Sequence, residues 1–201
     1  MTQRMRELAD EIVRLQAELD REIESKRKAL GWTVEDGLVT FAAETRARHR
    51  RLRTPAWKYV WQRSAGELLT GPLIYSMIVP LLLLDGWTAL YQAVCFRAYG
   101  IPPVRREDHI ALDAQHLGYL NWIEKLDCYY CAYANGVLSW IREIAARTEQ
   151  YWCPIKHALR ISDPHHRYWS FLEYGDAEGY RDRLADFRER LRAGRPNGAD
   201  L

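Results

Sequence analysis

"LLTGPLIYSMIVPLLLL", residues 68 to 84, runs for seventeen positions without a charged side chain, and its reading decides the fold. Asp85 and Gly86 interrupt it, and "WTALYQAVCF" carries the apolar character on to Phe96. Upstream the chemistry is different. "ETRARHRRLRTPAWKYVWQRSAG" holds Arg46, Arg48, Arg50, Arg51, Arg53, Lys58 and Arg63 against the single acid Glu44, with Trp57, Tyr59 and Trp61 interleaved. Downstream, Arg97, Arg105 and Arg106 restore positive charge.

A basic belt, then aromatics, then an apolar run is the order expected of a segment entering a bilayer from the cytoplasmic side. An RNA-binding surface shares the first two features but has no use for the third. A span needs about 20 apolar residues. Residues 68 to 96 exceed that, but Pro72, Pro80 and the Asp85-Gly86 pair divide them. Proline removes a backbone donor and bends a helix, and Asp-Gly signals a turn. Both flanks are rich in arginine, so the positive-inside rule holds both on the cytoplasmic side. The expectation is a re-entrant helical hairpin dipping into one leaflet, with its turn near Asp85. A carboxylate at that depth needs a partner, water or a proton. A single span with Asp85 at the far interface is a second reading, and a soluble fold that buries the run is a third.

The rest of the chain sets limits around this segment. Its 201 residues suit one ordinary domain or a small domain with an extra segment, and a net charge of +2 does not point to nucleic acid. Eight Trp and twelve Tyr against four Phe favour rings with one polar end, the kind that collect where dry meets wet. The N-terminal "MTQRMRELADEIVRLQAELDREIESKRKAL" is charged throughout and lacks the apolar core of a secretory signal. Four cysteines in such a chain read as reduced thiols rather than a disulfide framework. Residues 3 to 30 are predicted helical, with Leu8, Ile12, Leu15, Leu19 and Ile23 on a narrow seam suited to a coiled coil or a partner helix. Helices are also predicted over 108 to 126, 134 to 150 and 176 to 194, and "RPNGADL" is expected to be a disordered end. No strand is predicted.

"CYYCAYANG" and, further on, "CPIKH" raise a question of chemistry. Cys128-x2-Cys131 and Cys153-x3-His157 have the local spacings of metal-ligand pairs. Three thiolates and one imidazole suit zinc, with iron as the alternative. A single straight helix over 134 to 150 would hold the pairs roughly 25 Å apart, too far for one ion. The four-ligand site therefore requires "RTEQYWC" to fold back. A C-x-x-C thiol pair and ordinary buried cysteines are the competing readings, and Cys95 reads as packing. Asp113, His116 and Glu124 fall near one helix face but lack the second carboxylate-histidine set of a di-iron centre. His165-His166 reads as a surface turn, and Glu143 with Arg147 as a surface ion pair.

"CYYCAY" and "CP" resemble the metal-binding knuckles of rubredoxins over about ten residues, but the glycines and the fourth cysteine of that pattern are missing. From Tyr99 to His157, "YGIPPVRRED…LNWIEKLDCYYCAYANG…REIAARTEQYWCPIKH" resembles a family of small bacterial proteins of unassigned function. That family pairs a basic, aromatic and apolar lead-in with the same C-x2-C and C-P-x-x-H elements. The resemblance spans residues 55 to 180 and implies a bacterial, membrane-associated protein, without naming a reaction.

The expected architecture is all-α. Residues 1 to 54 form amphipathic helices, 55 to 100 the basic/aromatic segment and membrane hairpin, 101 to 175 a cytoplasmic helical Cys/His domain, and 176 to 201 a last helix and tail. The expected function is a zinc-binding accessory or assembly protein on the cytoplasmic side of a bacterial inner membrane. Its partners would be the bilayer and, through the terminal helices, another protein or a second copy, with no nucleic acid. The alternatives are a membrane-associated redox protein using iron or the thiol pair, and an interfacial lipid-modifying enzyme.

Overall fold

The computed structural model describes residues 3–35 and 38–194. The expected disordered tail lies outside them. The chain is mostly helical, with helices α1 (Gln3–Ala29), α2 (Ala43–Leu52), α3 (Ala56–Trp61), α4 (Ala65–Ser76), α5 (Ile78–Tyr91), α6 (Arg97–Tyr99), α7 (Trp122–Trp152) and α8 (Ala177–Arg192). Strands β1 (Trp32–Glu35) and β2 (Leu38–Phe41) pair antiparallel, with Trp32 opposite Phe41 and Val34 opposite Val39. The sequence carries the signal for this unforeseen hairpin. "WTVE" and "LVTF" are rich in β-branched and aromatic residues and flank an Asp-Gly dipeptide.

Internal contacts divide the chain into two units, each discontinuous in sequence. The first comprises the residues up to Met77 together with Ala111–Tyr133, and the second Ile78–Ile110 with the residues from Ala134 onward.

In the first unit, α1 ends at Gly31, whose φ of +72° is left-handed and where a Cβ would come within 2.8 Å of the Thr45 hydroxyl. The Leu8–Ile23 seam of α1 is exposed along its length. Ser64 and Glu67 form a capping box that starts α4. At the other end of the unit, Asn121 starts α7. Its side-chain oxygen accepts from the backbone N–H of Ile123 and Glu124 at 2.9 and 3.1 Å, and Glu124 accepts from Asn121 N–H at 2.8 Å. This cap corrects the predicted helix over 108 to 126. Residues 109 to 121 contain only one short 3₁₀ turn, Ala114–His116, and helix begins at Trp122.

In the second unit, α5 continues through a π-helical turn, Gln92–Phe96, into α6, which ends at the left-handed Gly100. Phe96, Ile101, Val104, Trp140, Ile144, Tyr151 and Leu191 share one buried cluster, and Tyr168, Phe171, Leu172 and Phe187 share another. Helix α8 therefore spends its apolar stripe inside this unit, rather than holding it ready for a partner. Asp176 caps it by accepting from Gly179 N–H at 2.9 Å.

Candidate functional site

Residues 68 to 96 are expected to bend into a hairpin with its turn near Asp85. Instead Asp85 and Gly86 are helical, within α5, and no turn interrupts them. Gly86 has open space around it and no positive φ, so nothing in its surroundings demands a turn. Among the described residues, Ala65–Tyr99 is a helical stretch long and apolar enough to cross a membrane.

Little of it is buried. In α4 no residue is buried, and Leu68, Leu69, Leu73 and Ile74 are exposed. In α5 the face turned to the protein carries the polar residues. Asp85 is 6% exposed and Thr88 7%, beside Leu81. Gln92 lies one turn further on, where it accepts from Val104 N–H at 2.8 Å and donates to Val104 O at 3.3 Å. Arg106 donates to the Asp85 carboxylate and is its ion-pair partner. The outward face is Val79, Leu82, Leu83, Trp87, Leu90 and Val94, with Leu83 70% and Trp87 73% exposed. At 100° per residue the two sets fall on opposite sides of the helix.

The four expected metal ligands are placed as two local pairs. Cys128 and Cys131 stand in the early turns of α7, in the first unit. Cys153 follows the last residue of α7 and is exposed; His157 is also exposed, its ring stacked on Tyr168 at 6.1 Å, in the second unit. Residues 147 to 152 are helical, so the fold-back that a four-ligand site requires is absent. "DCYYCAY" contains no breaker, and the helix runs straight through it. Among the described residues no group of three His, Cys, Asp or Glu side chains could hold an ion. Burial pushes the Cys128 thiol up, with Cys131, Asp127, Glu124 and Asp113 adding to the rise. That environment disfavours a reactive thiolate.

Two clusters went unforeseen. In the first unit a cavity of about 440 Å³ is lined by Leu68, Ile74 and Ile123 together with Arg63 and the carboxylates of Glu67 and Asp127. Asp127 is the one the tyrosines hold. Tyr59 donates to it at 3.0 Å and Tyr75 also donates to it, while the Tyr130 hydroxyl donates to Ile74 O at 2.8 Å. In the second unit Glu143 is held from two sides. Arg147 Nε is 2.8 Å away, and Arg167 reaches the same oxygen at 2.8 and 3.2 Å. Arg167 also donates to Gln150 Oε1 at 2.9 Å, and Gln150 donates to Phe187 O at 3.2 Å. Burial pushes the Glu143 carboxyl up, but Arg167 and Arg147 outweigh it and hold the group below the ordinary carboxylate value. The pair read as a surface contact is thus an inner network. Arg167 was missed because it lies outside the helix that carries the other two.

His165, expected at the surface, bonds Glu149 Oε2 at 2.8 Å, and His109 shares a 2.9 Å hydrogen bond with Ser139. Gly136 lets His109 and Ile110 approach α7, since a Cβ there would meet the His109 carbonyl oxygen at 2.8 Å. Asp113, His116 and Glu124 do not share a helix, and Glu124 is occupied in the Asn121 cap.

No protein-family model, curated protein or solved structure matches the chain. The functional reading therefore rests on the residues themselves.

Proposed function

We propose that the protein works at a membrane surface as an accessory or assembly protein, attached by the outward apolar face of α5. One observation carries this reading: α5 and the π-helical turn after it hold Asp85, Thr88 and Gln92 inward and Leu83, Trp87, Leu90 and Val94 outward. In water such a helix leaves its most costly surface wet, whereas against lipid each face meets its matching medium. The inward face also favours attachment to one leaflet over a crossing. Asp85 is paired with Arg106, which follows the helix on a loop with Arg105, Glu107 and Asp108, and three of these four charged side chains are well exposed. A helix surrounded by lipid at that level would carry those charges into hydrocarbon, at about 2.5 to 3.5 kcal/mol each near the centre. Lipid on one face and the charged unit on the other avoids that cost. Arginines on both flanks support attachment at the cytoplasmic leaflet.

The Leu8–Ile23 seam supports the accessory role, because it is a helical apolar stripe exposed along its length. A zinc or iron centre is not part of this proposal, given the uninterrupted helix between the two cysteine pairs.

Flotation with phosphatidylcholine vesicles tests the attachment. Leu83→Glu places a charge on the outward face without touching the inward one. The expected result is flotation of the native protein and a roughly hundredfold weaker partition of the variant. Native protein that stays in solution, with its helix monomeric and folded, would overturn the reading.

A further inference from the structure

A polar cavity of about 380 Å³ opens in the second unit, a volume within the range of small-ligand pockets. Three guanidiniums, those of Arg105, Arg142 and Arg147, line it against two carboxylates, Asp108 and Glu143. These groups are not equally committed. Arg147 is held by Glu143 and by Pro102 O at 2.7 Å, and Arg167 completes the neutralisation of Glu143. Arg142 pairs with Asp163 at 2.9 Å and Arg105 with Glu107 at 2.9 Å and, at 3.9 Å, with Asp108. All of those acids are well exposed, and such pairs hold by less than about 1 kcal/mol. Arg142 also donates to the Asp163 carbonyl oxygen at 2.8 Å, so an entering anion recruits Arg105 from its weak pairs and Arg142 through its remaining N–H donors.

Neutral donors stand beside them. Ser139 and His109 offer a hydroxyl and an imidazole. Burial holds His166 below the ordinary imidazole value, so near neutrality it offers an N–H rather than a charge. The buried Nδ1 of His165 has no hydrogen-bond partner among the described residues, a costly condition that a ligand or water would relieve. A carboxylate has two oxygens for this set. A phosphate monoester has three, and up to two charges, and satisfies two guanidiniums together with the hydroxyl and imidazole donors.

We propose that this cavity binds the phosphate of a phosphomonoester. The wall of the cavity favours a lipid source for that phosphate. Val104, which lines it, is bonded to Gln92, and the neighbouring Arg106 to Asp85, so the wall is fastened to the helix whose outer face is apolar. Only this choice of source rests on the membrane reading above.

The test uses the full chain in detergent, titrated with inorganic phosphate by calorimetry, and then in flotation with phosphatidylcholine vesicles with or without phosphatidic acid. Saturable phosphate binding is expected, and Arg142→Gln should weaken it about tenfold, the loss of one charge-assisted bond. Arg105→Gln serves as a second variant should the first fail to fold. Flotation strengthened by phosphatidic acid more than by equal phosphatidylglycerol, and not in the variant, identifies the headgroup. Phosphate binding without that preference identifies a free phosphomonoester. Neither binding nor preference, or an Arg142→Gln protein that behaves as native, overturns the proposal. Flotation with phosphatidylcholine alone reports the membrane attachment independently of both.

Discussion

Helices α5 and α8 belong to the same unit, are of similar length, and each buries one face, but the faces are of opposite kind. Helix α8 buries Phe187 and Leu191 and half-buries Tyr180 and Leu184, while Arg181, Asp182, Arg183 and Glu189 are exposed. Helix α5 buries Asp85 and Thr88 beside Leu81 and exposes leucines, a valine and a tryptophan. The interior does not explain the difference, because Phe96 at the end of α5's extension and Leu191 of α8 join the same buried cluster. On the membrane attachment proposed above, what differs is the medium each helix meets on its outer side. A helix whose outer face is more apolar than its inner one is stable in water only with that face covered.

The largest test of this contrast is on the α8 side. Phe187 is 3% exposed and packs against Phe171, with ring centroids 6.3 Å apart. Phe187→Ala should cost about 3 to 5 kcal/mol in denaturant unfolding, as lost transfer free energy plus a cavity. A loss below about 1 kcal/mol would mean that α8 is not docked and that its stripe is free for a partner.

Next in size is Glu143, a charge that the aqueous side of the unit keeps inside by surrounding it with two arginines. Glu143→Ala leaves Arg147 and Arg167 facing each other in a poorly solvated place, at about 3 kcal/mol. Acid should reproduce this gradually. The folded-state value is depressed, so the unfolded chain takes up the proton first, and the group's contribution is complete above the ordinary value of about 4.3. It is lost as pH falls through the folded value. Thermal melts should therefore weaken below about pH 4.3 in the native protein, and less steeply in Glu143→Gln. Parallel acid limbs for the two proteins would assign the acid sensitivity elsewhere.

The sequence made the apolar segment legible and misjudged its shape. Charge-free length and arginine borders are local properties, readable from residues 44 to 106 alone. Whether Asp85-Gly86 makes a turn depends on whether Asp85 has a partner. That partner is Arg106, 21 positions away on a loop no pattern predicts. The β1–β2 hairpin and the Asn121 cap were legible in "WTVEDGLVTF" and "NWIE" and were passed over, because helical periodicity dominated the reading around them. The cysteine pairs show how ambiguous a local spacing is. Their spacing matches a ligand pattern, but C-x2-C inside a continuous helix also follows from two residues three apart on a helix, with no ion implied. The Glu143–Arg167 network and the cavity beside it needed the return of the chain after α7, which leaves no periodic trace.

Asp85 tests the inner face of α5 at a smaller scale. Asp85→Asn removes the charge but keeps a hydrogen-bonding side chain, and Arg106 is half exposed and can turn to water. The expected cost is about 1 to 2 kcal/mol in detergent, smaller than for Glu143, whose two partners cannot turn away. An equal or larger loss would show that Arg106 is fixed in place and that the pair organises the loop bearing Arg105 and Asp108.

The smallest effect on folding, and the sharpest on the comparison, belongs to Leu90. Its side chain is over half exposed on the outer face, so Leu90→Ala removes few contacts within the protein. Unfolding in detergent should shift by no more than about 0.5 kcal/mol, the range of ordinary surface changes. Vesicle partition should respond differently, because about 0.8 kcal/mol is lost for each methylene no longer taken out of water. Three carbons fewer then weaken attachment by more than tenfold. Phe187→Ala should give the reverse pattern, a large loss of folding stability and unchanged partition of the protein that remains folded. If Leu90→Ala instead destabilises the fold and leaves partition alone, the outer face of α5 is covered by protein, and the two helices differ in their partner rather than in their medium.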